Sequence, residues 1–359
     1  MNAAKLLDAA RNFTLRSRAP GVTYISDGAN WANDNGTREI VRHLRASHGV
    51  AAHLAITPRC LRNQLVHFID RHALLRPGAV EKVHSSNRIV LTWFHQEPVA
   101  DVAALRENVA AVSPRLAEVV VPCEATKRDL PQLGVPEEKI ALIPLGVDTN
   151  YFRPPNAAQR AEARRRFGIA DDAVCIGSFQ KDGQGWNDGD EPKLIKGPDV
   201  FLRTIEHLRD AGHRLHVLLS GPARGFVRHG LDKLGVQYSH TQLDHLHEIL
   251  GLYHALDLYL IASRCEGGPL ALGESWATGV PVVSSRMGMP ADRIEHGKNG
   301  LLADNEDATA LAAACSSIIK SPALRENIYT SALTDVARLD WSVIATQHLA
   351  LYRRLGALD

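Results

Sequence analysis

Residues 264–283 read R-C-E-G-G-P-L-A-L-G-E-S-W-A-T-G-V-P-V-V, with Glu266 and Glu274 eight positions apart around a glycine pair. One carboxylate in a loop and one on a helix can accept hydrogen bonds from two separate polyol groups, for example a sugar and a ribose. Gly267 and Gly268 let backbone approach a ligand with no Cβ in the way. Pro269 suits the first position of a helix, where its missing N–H costs nothing. The amides that follow then point out of a helix N-terminus and favour an anion such as a diphosphate. Gly279 and Pro281 end that helix, and residues 280–284 read as a buried strand. Two solvated glutamates on a surface helix are the plain alternative. The strand–loop–helix–strand setting, with 258–262 as the strand before, favours a site.

Those residues need a frame, and strand-like runs alternate with helical patterns nearly end to end, as in parallel α/β domains. In the first half, 22–26, 64–70, 88–94 and 118–121 read as strands, with a helix from Glu124. Residues 143–155, I-P-L-G-V-D-T-N-Y-F-R-P-P, are rich in turn residues and read as a linker. A basic helix over 157–167 follows, then a second series: strand 173–179, helix 198–209, strand 215–220, helix 243–255 and strand 258–262. The tail 340–355 is amphipathic, with Trp341, Ile344, Leu349 and Tyr352 as burying residues. The expected organisation is an N-terminal domain over 1–152, a second over 153–339, and a C-terminal helix, 340–359, packing back on the first.

Composition fits a two-domain globular chain of 359 residues with formal net charge +1. No apolar run approaches the ~20 residues that span a bilayer. The first residues lack the apolar core and cleavage site of a secretory signal. Five scattered cysteines without C-x-x-C spacing read as reduced thiols rather than disulfides or a zinc site, so a cytoplasmic protein is expected. Charge is uneven, however. Residues 1–80 hold eleven Lys/Arg against five Asp/Glu, and Arg38, Arg42 and Arg45 share one face of a predicted helix. Such a face is either solvated or turned to an anion, whether lipid head groups at the inner face of a membrane or a phosphorylated acceptor. Residues 3–16 form a short amphipathic pattern consistent with the second option.

Four segments in order, I-P-L-G-V-D-T-N-Y-F, I-K-G-P-D, E-G-G-P-L-A-L-G-E and S-S-R-M-G-M-P-A-D-R-I-E-H-G-K-N-G-L-L, resemble the retaining glycosyltransferases of family 4 (glycosyl transferases group 1). The likeness runs over most of the chain and is strongest from Glu118 onward. It implies α/β architecture of the GT-B class, two facing Rossmann-like domains with a cleft between them. It also implies that Glu274 holds the ribose hydroxyls of a nucleotide-sugar donor. Glu266 would contact the donor sugar, beside the backbone of Gly267, Gly268, Pro269 and Leu270, with Arg264 and Ser178 counted among the donor-binding residues. Lys196 of I-K-G would neutralise the diphosphate, where negative charge grows as the glycosidic bond breaks.

The chain departs from the family at Gly177-Ser178-Phe179, where an arginine usually follows the glycine. The connection from there to Lys196 is also long. Lys181 or Lys193 could supply the missing cation, with Lys193 preferred. Asp188-Gly189-Asp190 in that connection suggests a metal, but no metal or other cofactor is expected, because the fold can hold a diphosphate without one. In the first domain, L-T-W-F-H-Q-E-P sets His95 just past a strand end, where such sheets present site residues. The resemblance puts it near the donor sugar, with Glu97 as a lesser neighbour. Asn35-Gly36 resembles the family's first helix start. Gly36 would let backbone approach donor or acceptor, and Asp34 is the nearest acid. No G-x-G-x-x-G is present, so a dinucleotide is not expected there, nor is nucleic acid a partner.

The resemblance implies transfer of a sugar from a nucleotide diphosphate sugar to a saccharide or lipid-linked acceptor, with anomeric configuration retained. A nucleotide-sugar epimerase on the same frame and an inactive saccharide-binding scaffold are the alternatives. The sugar, the base and the acceptor are not identified by the sequence.

Overall fold

A computed structural model describes residues 3–15, 21–26, 32–76, 78–94, 101–186, 188–243 and 245–358. The chain divides into two compact units, Met1–Gly146 with Leu339–Asp359, and Val147–Arg338. The turn-rich segment after Gly146 goes with the second unit because its aromatics pack there: Tyr151 stacks edge-on to Phe152, and Phe152 to Tyr253.

In the first unit six parallel strands, β1 (Val22–Ile25), β2 (Ala52–Ala55), β3 (Leu65–Phe68), β4 (Arg88–Thr92), β5 (Leu116–Val121) and β6 (Ile140–Leu142), form one sheet in the order β2-β1-β3-β4-β5-β6. Both faces of β1, β3 and most of β5 are buried, which is why these runs are apolar without alternation. Val66, Phe68, Ile89, Leu91 and Val119 belong to the core of this sheet.

The C-terminal helix Trp341–Arg354 belongs to this unit, and Trp341, Ile344, Leu349 and Tyr352 are all buried. A Cβ on Gly36 would lie 2.8 Å from the Trp341 ring, and one on Gly146 2.4 Å from it. Both glycines therefore make room for that indole. Gly36 sits inside the helix Ala32–His48, which starts four residues earlier than the Asn35-Gly36 signal suggests. Tyr352 is held in turn by a buried polar chain: its hydroxyl lies 2.6 Å from that of Tyr24 and 2.7 Å from His67 Nδ1. His67 Nε2 reaches Thr92 Oγ1 at 2.8 Å. Burial pushes His348 down to about 4 and His67 well below the usual imidazole range, so both rings stay neutral.

The second unit holds β7 (Val174–Ser178), β8 (Leu215–Ser220), β9 (Gln237–Thr241), β10 (Leu258–Ile261), β11 (Val282–Ser285) and β12 (Leu301–Ala303). They are parallel and ordered β12-β11-β10-β7-β8-β9. The helices Ala308–Lys320, which buries Ala308, Leu311, Ala312, Cys315 and Ile318 on one face, and Pro322–Asp335 also belong to this unit. The expected helix over 243–255 is shorter, a 3₁₀ turn Leu246–Glu248 followed by Ile249–Ala255.

Candidate functional site

The strand order of the second unit reverses between β7 and β10, which lie side by side in the middle of the sheet. In open parallel sheets ligands usually bind outside the C-terminal ends of the strands at such a reversal of order. Lys196, implied by the family resemblance, and Glu266, singled out by spacing, meet at this edge. Lys196 ends the 3₁₀ turn Leu194–Lys196, and Glu266 stands in the loop after β10. Lys196 Nζ lies 2.6 Å from Glu266 Oε1, both side chains less than a fifth exposed. Ser263 Oγ donates to the same oxygen at 3.2 Å. The two loops are zipped together, since the amides of Arg264 and Cys265 both donate to the Ile195 carbonyl.

Gly197 makes this turn possible. Its φ of +62° is left-handed, and a Cβ there would sit 1.9 Å from the Ala262 carbonyl oxygen. Pro198 then opens the helix Pro198–Asp210 at its first position. Gly197→Ala should therefore cost roughly 2 kcal/mol or more, from the left-handed strain together with the clash. A denaturation midpoint equal to the parent's would contradict that account of the turn.

Glu274 lies in the helix Leu270–Ala277. Pro269 is not its first residue, as the sequence suggested. It is the extended residue before it, with φ −67° and ψ 119°, because the chain arrives from the glycine loop without having turned. Tyr253 donates its hydroxyl to Glu274 Oε2 at 2.6 Å. Around them Phe179 meets Tyr253 and Tyr259 edge-on, with ring centroids 5.1 and 5.3 Å away. Burial strips water from the carboxylate and pushes the Glu274 carboxyl up to about 7, against the lowering effect of the Tyr253 hydrogen bond.

The remaining expected residues have varied surroundings. Arg264 is engaged by acids of its own unit: it bonds both oxygens of Asp199 at 2.7 Å and pairs with Glu306. It braces the Glu266 loop from behind. Gly267 and Gly268 do not have positive φ. The glycine on which that loop closes is Gly288, whose φ is +51° and whose Cβ would lie 2.0 Å from the Glu266 carbonyl oxygen. Ser178 is buried, and its Oγ and carbonyl both accept from Arg224, at 3.1 and 2.6 Å. Lys181 stands over the Trp186 ring at 3.9 Å, and repulsion from Lys193 adds to desolvation in lowering its pKa. His95 and Glu97 lie outside the described residues. Asp34 is buried and accepts from Ser26 Oγ.

Sequence reasoning missed Arg224 and Asp182. They are fully buried, with Nε 2.9 Å from Oδ1, close enough for an ion contact but out of line for a hydrogen bond. They anchor the long connection before Lys196, whose strands meet at a Gly183–Pro192 bridge. Asp188 and Asp190 of that connection approach His229, and all three are exposed. Each acid already has a basic neighbour, Arg228 at 2.8 Å and His229 at 3.1 Å. Tyr253 was also missed, although an aromatic in a helix just before β10 is a weak signal that could have found it.

Two family models match successive parts of the chain, Glycosyltransferase Family 4 over residues 37–151 and Glycosyl transferases group 1 over residues 192–334. The chain belongs to the family 4, group 1 glycosyltransferases, on an α/β fold of the GT-B class. It is 27% identical to the D-inositol 3-phosphate glycosyltransferase of Thermomonospora curvata, over 82% of this chain and 66% of that protein. It is 29% identical to the enzyme of the same name from Thermobispora bispora, over 87% and 79%. Against some other relatives of that name the chain spans only about half their length. Among solved structures, Anabaena HepE in complex with UDP-glucose superposes with a TM-score of 0.76 at 17% identity, covering 94% of this chain and all of that one. Sucrose-phosphate synthase from Thermosynechococcus elongatus gives 0.75 at 18%, covering 95% and 100%. These likenesses concern the fold. Among the described residues no helix is long and apolar enough to cross a membrane.

Proposed function

We propose that the chain is a retaining glycosyltransferase that moves a hexose-type sugar from a nucleoside diphosphate sugar to a hydroxyl of a saccharide or lipid-linked acceptor. The observation that carries this reading is the Lys196–Glu266 contact at the C-terminal edge of β7 and β10, with Glu274 on the helix that follows. An ammonium has three N–H donors, so Lys196 can keep Glu266 and still give two hydrogen bonds to diphosphate oxygens. Glu266 then faces the sugar hydroxyls and Glu274 the ribose. The amides of Gly268 and Leu270 would donate to the bound donor, and Lys193 would add positive charge. UDP-glucose, bound by HepE, sets the donor class to test first, and an inositol phosphate, named for the curated relatives, is one acceptor to try.

In the reaction the bond from the anomeric carbon to the diphosphate oxygen breaks and positive charge spreads over the sugar ring. The departing oxygen takes the proton of the acceptor hydroxyl, whose oxygen bonds to the anomeric carbon on the same face. Lys196 stabilises the charge gained by the leaving group. His95 would stand near the sugar, and no metal is required by this scheme.

UDP-glucose at about 100 times its dissociation constant should add about 2.7 kcal/mol of stability, read as a rise in Tm. Glu274→Ala should show no such rise. If no nucleotide sugar shifts the parent protein and none is consumed with any polyol acceptor, the proposal fails.

A further inference from the structure

The long connection from β7 to Lys196 carries a feature that the donor site does not use. Trp186 is 63% exposed and Leu194 54%, and among the described residues these are the only exposed large apolar side chains of the second unit. Their neighbours in the sequence are polar, among them Lys181, Asp188, Asp190, Glu191 and Lys193. An indole kept in water forgoes the burial of about 150–250 Å² that a tryptophan usually gains.

The segment that presents Trp186 is fixed. The Gln184 amide donates to the Glu191 carbonyl at 2.8 Å, and the Lys193 amide to the Asp182 carbonyl at 2.7 Å, on either side of the Gly183–Pro192 bridge. Beyond the tip, the Gly189 carbonyl accepts from the Phe226 amide at 3.1 Å. Gly189 has φ +78°, and a Cβ there would lie 2.6 Å from Ala223, so the connection is pressed against the loop after β8. Lys181 Nζ, 3.9 Å from the ring centre, holds the indole itself. The same segment is tied to the donor residues. Gln180, next to Lys181, donates its side-chain amide to the Lys196 carbonyl at 3.1 Å and accepts from Ser263 Oγ at 3.4 Å. At the other end the Leu194 carbonyl accepts from Arg264 at 2.6 Å.

We propose that Trp186 is a stacking platform for a pyranose ring of the acceptor, so that the acceptor is a saccharide rather than an acyclic polyol. The proposal rests on the transferase reading of the donor site. A pyranose is apolar on its faces and polar at its rim, which suits one indole set among charged side chains. Its axial C–H groups, polarised by the neighbouring oxygens, are drawn to the negative face of an aromatic ring. The ring-sized platform is already ordered by the bridge and by Lys181, so little entropy is lost when the sugar arrives. Its ties through Gln180 to Lys196 and Ser263 set the platform in the same framework as the residues assigned to the donor.

The test titrates the full chain with cellotriose, maltotriose and triacetylchitotriose, with sorbitol as the acyclic control, and follows tryptophan emission. At least one trisaccharide should shift the emission to the blue with saturation, as the indole leaves water. Sorbitol should not, and Trp186→Phe should abolish the signal. With the trisaccharide that responds as acceptor, Trp186→Ala should raise the acceptor KM by about 10-fold and Trp186→Tyr should recover most of it. The loss should fall on the acceptor KM and not on that for UDP-glucose. Circular dichroism checks that the variants are folded. A parent-like acceptor KM in Trp186→Ala, an equal response to sorbitol, or a loss that falls on UDP-glucose would overturn the proposal, the last by giving the ring to the donor. If no trisaccharide shifts the emission while UDP-glucose is still consumed, the platform fails and the donor reading stands. If emission responds but no nucleotide sugar is bound or consumed, the donor reading fails instead.

Discussion

Lys196→Ala should slow sugar transfer by about 30- to 1,000-fold at saturating donor, the effect of removing one contact that strengthens as charge develops on a leaving group. The loss should fall mainly on kcat, because the diphosphate gains its extra charge only as the bond breaks. Stability should fall as well, since Glu266 would keep Ser263 but lose the ammonium at 2.6 Å in a site less than a fifth exposed. The measurement is therefore made below the variant's melting transition, with donor consumption and product formation followed together. Lys196→Arg keeps the charge and should recover part of the rate. Parent-like turnover in the alanine variant would remove this side chain from the chemistry, and the donor assignment with it.

Glu274→Gln should produce two opposite effects. Ribose hydroxyls donate best to a carboxylate, so the amide should weaken donor binding by about 10- to 100-fold. Stability should move the other way. Burial raises the carboxyl from 4.5 to about 7, so the folded chain holds this proton over a range in which the unfolded chain has released it. The stability linked to Glu274 is complete below about 4.5 and is lost as pH rises through 7. Above that, ionising the desolvated carboxyl costs on the order of 3 kcal/mol, which the glutamine variant escapes. Unfolding curves at mildly alkaline pH should thus place Glu274→Gln above the parent, with the difference vanishing in acid. In the parent, donor affinity should rise as pH passes through 7, with proton release on binding that calorimetry in buffers of different ionisation enthalpy detects. A variant no more stable than the parent at alkaline pH would mean that Glu274 is already well solvated, and the pH argument would fail.

The strands legible in the sequence and those that were not divide by position. Those assigned from apolar runs, including β1, β3, β4, β5, β7, β8, β10 and β11, are interior members of the two sheets. The four that were overlooked, β2, β6, β9 and β12, are the four sheet edges. Interior parallel strands are covered on both faces and need unbroken apolar runs. Edge strands are short and less demanding: β9 reads Q-Y-S-H-T and has no fully buried residue, while β6 and β12 span three residues each.

The site divides in the same way. Glu266, Gly267, Gly268 and Glu274 lie within nine consecutive residues, so their spacing carries information along the chain, whereas Lys196 stands out only through the resemblance of I-K-G-P-D to the family. The alternation of strands and helices, the turn chemistry and the acid pair are local patterns of this kind. By itself the sequence thus determined the class of fold and marked out the residues of the candidate site.

Only the tertiary structure decided what surrounds them. Tyr253 meets Glu274 across 21 positions, Lys196 meets Glu266 across 70, and Tyr24 meets Tyr352 across 328. The shift at Glu274, the bracing role of Arg264 and the buried Arg224 beside Ser178 all arise from neighbours that no local pattern announces. Burial and electrostatic environment depend on which distant segments fill the space around a group, and the folded chain alone establishes that arrangement.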